Sequence, residues 1–217
     1  MKPPPGYDSE GELVKHLCKS LYSLKQAGHK WYDTLCQVLT DLGLCINDAD
    51  PRVFTIQDDN DTTILAIHVD DCLITGSSTN QISDYKRKLN DRYSLTNLGP
   101  VHWLLSIKIT RNREARTISL SQTAYIDTIL SQFSLSNAKS IATPITPGAS
   151  LSKSNALSDE TEAMRMAKTP YREAIGSLMY AAIATRPNIT FAVSALSQFL
   201  SNPGKVHWEQ VKRVLCC

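Results

Sequence analysis

The chain has 217 residues, enough for one or two domains with a buried core. A hydrophobic content of 42% and a charged content of 20% are those of an ordinary globular protein. The net charge of +2 excludes a nucleic-acid binder driven by bulk electrostatics, so any such surface must be local. Six cysteines (Cys18, Cys36, Cys45, Cys72, Cys216, Cys217) make no C-x-x-C pair and no Cys/His spacing of the zinc type, which fits a reducing compartment. The opening MKPPPGYDSE has no apolar signal core, and no apolar run approaches a membrane span. The expectation is an intracellular, cytoplasmic protein that is not secreted and does not enter a membrane.

In chain order, residues 1–12 are rich in Pro and Gly and read as a loop. Leucines at 13, 17, 21 and 24 have near-helical spacing, and a better helix follows over 27–42. There Trp31, Leu35, Val38, Leu39 and Leu42 share a face and Gly43 is the stop. RVFTI (52–56) reads as a strand, and DDND (58–61) as a turn. Ser77 and Ser78 stand in a polar run that caps a helix over 81–93, whose stripe is Ile82, Tyr85, Leu89 and Tyr93. VHWLLSIKIT (101–110) reads as one strand and TISLS (117–121) as its hairpin partner. Helices are expected over 123–133, 171–184, 188–200 and 205–215, with a Ser/Asn/Pro/Thr-rich surface connection over 134–160. This order predicts an α+β fold with an antiparallel sheet.

The centre of the chain is TTILAIHVDDCLITG (62–76). Two short β-branched runs flank Asp70 and Asp71, which reads as strand, turn, strand. Asp-Asp in a turn is common, because Asp tolerates turn dihedrals and bonds its own backbone. Two adjacent carboxylates also repel, and a divalent cation is their usual compensator. The dipeptide alone leaves both readings open. Basic clusters at Lys86, Arg87, Lys88 and Arg92, at Arg111, Arg113 and Arg116, and at Lys212 and Arg213 are solvated faces or phosphate tracks.

Taken together, the segments resemble the reverse transcriptase of copia-type LTR retrotransposons. KSLYSLKQAGHKWYDTL (19–35) resembles the family's "KSLYGLKQAPRAWY", and ILAIHVDDCLITGSS (64–78) its "LLVYVDDILITG". LGPVHWLLSIKI (98–109) is similar to "LG-x-L-x-FLGIEI". The start MKPPPGY, the run 119–147 and the stretch 170–215 also match in the family's order. The resemblance implies an RNA-directed DNA polymerase with a partial palm over 1–135, a flexible linker over 136–160 and a thumb- or connection-like helical segment over 161–217.

By the same resemblance, Asp70 and Asp71 are catalytic ligands of two Mg2+ ions, with Asp70 the nearer. Lys25 and Gln26 line the template and nucleotide pocket, and Trp103 belongs to the primer grip, a buried core Trp being the equal alternative. The implied partners are an RNA or DNA template-primer and dNTPs. His68 stands where the family has Tyr and reads as a drifted strand residue rather than a gained ligand. Ser23 and Ser106 stand where the family has glycine, and Gly28 where it has proline. The family's third carboxylate lies on a strand upstream of the matched start, with Asp8, Glu10 and Glu12 the only nearby substitutes. The expectation is therefore a truncated, inactive copy, the alternative being a non-catalytic nucleic-acid-binding remnant of the palm.

Overall fold

The computed structural model describes residues 16–58, 61–152, 164 and 166–217. Its packing falls into two compact units, residues 1–99 and 100–217.

In the first unit, helix α1 (Ala27–Asp41) places Leu35 and Leu39 one turn apart, both buried, with Trp31 and Leu42 beside them. That i, i+4 stripe is what the sequence spacing predicts. The helix stops at Gly43 (φ +89°). The amide of Gly43 donates to the Thr40 carbonyl at 2.9 Å and that of Leu44 to Leu39 at 3.0 Å. This is a Schellman cap, in which glycine supplies the left-handed residue and the buried Leu44 meets the buried Leu39.

Four antiparallel strands follow in sequential order: β1 (Cys45–Ile46), β2 (Val53–Asp58), β3 (Asp61–His68) and β4 (Asp71–Gly76). Alternation along β3 buries Thr63, Leu65 and Ile67, and register sets Phe54 opposite Leu65 and Ile74 beyond it. Helix α2 (Thr79–Arg92) starts at Ser78, whose Oγ accepts from the Gln81 amide at 3.5 Å, and adds Tyr85 and Leu89 to the same cluster. Gly76 lets the end of β4 close onto β3, since a Cβ there would lie 2.7 Å from the Thr62 carbonyl oxygen. Residues 16–24 are not helical, a correction to the expectation over 13–24; residues 13–15 lie outside the described residues. Their leucines Leu17 and Leu21 are exposed, so the spacing has no core to face.

In the second unit, strands β5 (Trp103–Leu104), β6 (Ile107–Asn112) and β7 (Thr117–Ser121) form an antiparallel meander. The single strand expected over 101–110 is two, because Leu105 and Ser106 both take positive φ (+49° and +62°). Positive φ at both central residues is the type I′ hairpin pattern. The Tyr180 hydroxyl donates to the Leu105 carbonyl and ties this turn to a helix.

Helices α3 (Thr123–Gln132), α4 (Tyr171–Ala184), α5 (Thr190–Ser197) and α6 (Lys205–Leu215) share a core of Ile129, Ile175, Leu178, Val193, Leu196 and Val211. The helix expected over 188–200 is instead a 3-10 turn at Pro187–Ile189 followed by α5, Pro187 standing at the start of that turn. Residues 153–160 of the expected connection lie outside the described residues, and residues 135–152 have no strand or helix. They are nevertheless fastened to α6 and its end: Ile141 N–H donates to the Cys216 carbonyl at 2.9 Å, Thr146 N–H to Gln210 Oε1 at 3.0 Å, and Arg213 to Thr143. The packing division falls at 99/100, because Tyr125, Ile126, Leu130 and Phe133 of the α3 segment pack on the helical core.

Candidate active site

The hairpin β3–β4 closes in two residues, Val69 and Asp70, with His68 paired to Asp71. Val69 takes φ +54°, while Asp70 is not among the positive-φ residues. Positive φ at the first central position alone is the type II′ pattern, a position that favours glycine. A β-branched residue held there is a backbone outlier, of the kind that clusters at functional sites. The sequence places valine at that point directly before the two carboxylates.

The turn is held from outside the hairpin. Trp31 of α1 donates its indole Nε1–H to the Val69 carbonyl at 2.9 Å. Its ring stands edge-on to Tyr93, with centroids 5.3 Å apart and planes at 70°. Sequence reasoning placed Trp31 on the core face of its helix and missed this bond, since nothing local links residue 31 to residue 69. The positive φ of Val69 was equally invisible, because valine carries no signal for it.

Asp70 and Asp71 are both exposed, and among the described residues neither forms an ion pair. Asp71 and His68, opposite each other, lie on the sheet face away from Leu65 and Ile67. Cys72 pairs with Ile67 on the other face. Although Cys72 is exposed as a residue, burial around its sulfur first, then Asp71 and Asp70, push the thiol above its ordinary range. Among the described residues, no three His, Cys, Asp or Glu side chains converge to hold a metal. The tip thus fits a divalent cation in the kind of its donors and supplies two of them.

Gln26 is the residue before α1, its side chain making no cap, and Lys25 precedes it; both are exposed. They stand five and six residues before Trp31, just ahead of the helix that reaches the carboxylate turn. Trp103 is in the second unit, on β5, and is 55% exposed, which corrects the alternative of a buried core Trp.

The basic clusters divide. Asp84 binds Arg87 at 2.5 Å and Lys88 at 2.7 Å, and hydrogen bonds from Lys88 and then Arg87 hold its carboxyl below the usual range. That cluster is largely a self-paired helix face. Arg111, Arg113 and Arg116 on the β6–β7 hairpin are exposed and, among the described residues, form no ion pair.

Comparison with known proteins finds a family model and several relatives that match the chain. The family described as Reverse transcriptase (RNA-dependent DNA polymerase) matches residues 1–147. The retrovirus-related Pol polyprotein from transposon TNT 1-94 of Nicotiana tabacum is 40% identical over 99% of this chain, which spans 16% of that protein. The corresponding polyprotein from transposon RE1 of Arabidopsis thaliana is 34% identical over 99% of the chain, which spans 14% of it. A transposon Ty5-1 protein of Saccharomyces cerevisiae is 30% identical, and the chain covers 68% of its length. No solved structure matches the chain.

Proposed function

The chain belongs to the reverse transcriptase (RNA-dependent DNA polymerase) family, in its copia-type retrotransposon branch, and on that premise we propose that its β3–β4 tip is the metal-binding carboxylate turn of the polymerase palm. The observation that carries this reading is the pair Asp70 and Asp71, exposed and unpaired by any described cation, Asp70 in the strained two-residue turn and Asp71 directly after it at the start of β4. Stability alone gives no reason for that arrangement, since adjacent like charges cost energy.

In this reading Asp70 and Asp71 hold Mg2+, which when bound supplies activation of the primer 3′-hydroxyl and charge stabilisation at the leaving pyrophosphate. Lys25 and Gln26 face the template and incoming nucleotide, Gln26 offering both a donor and an acceptor. Trp103 and its strand belong to the primer grip, and the helical segment of the second unit takes the place of thumb and connection. Asp70 and Asp71 are adjacent in sequence at the tip, and a pair of cations held at close range needs more negative charge than two carboxylates supply. On these two described donors the site is read as binding metal weakly and not extending a primer. Its place of work is the cytoplasm.

The test is primer extension on a homopolymer RNA template with magnesium or manganese, beside Mn2+ binding followed by paramagnetic broadening. The expected result is broadening at Asp70 and Asp71 that disappears in D70A/D71A, with no incorporation by either protein. Incorporation lost in D70A/D71A would show a complete site, and absence of broadening in the folded wild type would sink the metal reading.

A second reading rests on Arg111, Arg113 and Arg116, whose charges are unpaired among the described residues. Here the β6–β7 hairpin binds single-stranded nucleic acid through phosphates whether or not the carboxylate site is active.

A further inference from the structure

We propose that Trp31 is a positioning residue of the carboxylate turn, its indole N–H fixing the Val69 carbonyl and so holding the Val69-Asp70 peptide in the conformation that sets where Asp70 and Asp71 stand. The inference rests on the metal reading of those two residues, and it assigns a role to a side chain 38 positions away. Three observations converge. Val69 has φ +54°, which a β-branched residue does not keep without outside support. The support present is one bond of 2.9 Å from the Trp31 indole to the carbonyl of that same residue. The indole is itself fixed, edge-on to Tyr93 and packed against the cluster of Leu35, Leu39 and Leu89. Closure in two residues favours positive φ at the first position through the twist of the strands, valine resists it, and the indole bond to the Val69 carbonyl holds the peptide there. Lys25 and Gln26 directly precede α1, so the helix links the proposed nucleotide-facing residues to the carboxylate turn.

The experiment is hydrogen exchange and 15N spectroscopy on the full chain, with W31F, V69G and W31F/V69G, and with Mn2+ broadening as a second readout. In the wild type, the Trp31 indole N–H is expected to be protected while that of the exposed Trp103 exchanges freely. W31F keeps a ring against Tyr93 and loses the donor. Its amides from 68 to 72 should exchange on the order of tenfold faster, the size of one lost hydrogen bond, and Mn2+ broadening at Asp70 and Asp71 should weaken severalfold. Glycine adopts positive φ at no steric cost, so W31F/V69G should recover both readouts to within about twofold of V69G. A purely structural role for Trp31 would leave no such rescue. An unprotected Trp31 indole in the wild type, or W31F exchange at 68–72 equal to the wild type, would overturn the proposal. If exchange behaves as stated and the wild type shows no Mn2+ effect, the positioning stands and the metal reading fails.

Discussion

Ser23, Ser106 and Ser134 each hold positive φ (+71°, +62° and +57°) in a conformation that glycine adopts freely and L side chains resist. Two of these are the positions where the sequence carries serine in place of the family's glycine. At both, a serine side chain stands in the left-handed conformation and carries local strain. S106G and S23G are each expected to raise stability by about 1 kcal/mol, read as a shift in the urea midpoint at constant slope. Gly28 presents the opposite case. It lies in the first turn of α1, where a Cβ would meet nothing within 4 Å, so G28A should stabilise by ~0.5–1 kcal/mol in the same assay. Ser134 has a further lesson. Its amide bonds the Ser131 carbonyl and that of Leu135 bonds Leu130, a Schellman cap with no glycine to announce it.

At the scale of elements, α6 begins on a buried imidazole. His207 is fully buried, stacked on Phe199 with centroids 4.0 Å apart, and its Nδ1 accepts from the Gly204 amide at 2.9 Å. Accepting at Nδ1 requires the neutral ring, because a proton there would face the N–H donor. Burial pushes the imidazole below its ordinary range, against a smaller opposite effect of a hydrogen bond with the Ser152 backbone. The sign follows from linkage: a depressed folded pKa contributes stability that is present above the unfolded value and is lost as pH falls through the folded one. Urea unfolding of the second unit should therefore weaken from about pH 7 toward pH 5, the imidazole range. H207L should flatten that dependence and cost ~1–2 kcal/mol at neutral pH by removing the acceptor at the helix start. In the first unit, Phe54 is wholly buried between the two helices' stripes and β3, and F54A should cost ~3–5 kcal/mol.

For the molecule as a whole, the net charge of +2 leaves nucleic-acid binding to local surfaces. Electrophoretic or fluorescence titration with single-stranded RNA should give a log K that falls linearly with log salt. Replacing Arg111, Arg113 and Arg116 by Ala should lower affinity and reduce the slope by ~0.7 for each phosphate that is no longer neutralised. The same substitution of Lys86, Arg87 and Lys88 should change little, because Asp84 already neutralises part of that face. An unchanged slope in the arginine variant would remove the β6–β7 hairpin from the binding surface. Among the described residues no helix is long and apolar enough to cross a membrane.

Much of this was legible in residue order. The periodicity of 27–42 and 171–184, the β-branched runs flanking Asp70 and Asp71 and the polar run before α2 set the elements, because each pattern needs only near neighbours in the sequence. Motifs in order carried the family, and the apolar runs around Asp70 and Asp71 placed both carboxylates at a hairpin tip. Tertiary structure alone decided the rest. The leucines before α1 have helical spacing and no core to bury it against, the strand over 101–110 breaks where two left-handed residues turn the chain, and α3 joins the second core. It also decided that Val69 is strained and that Trp31 holds it, since a hydrogen bond across 38 residues depends on how helix and hairpin pack, which no local pattern encodes.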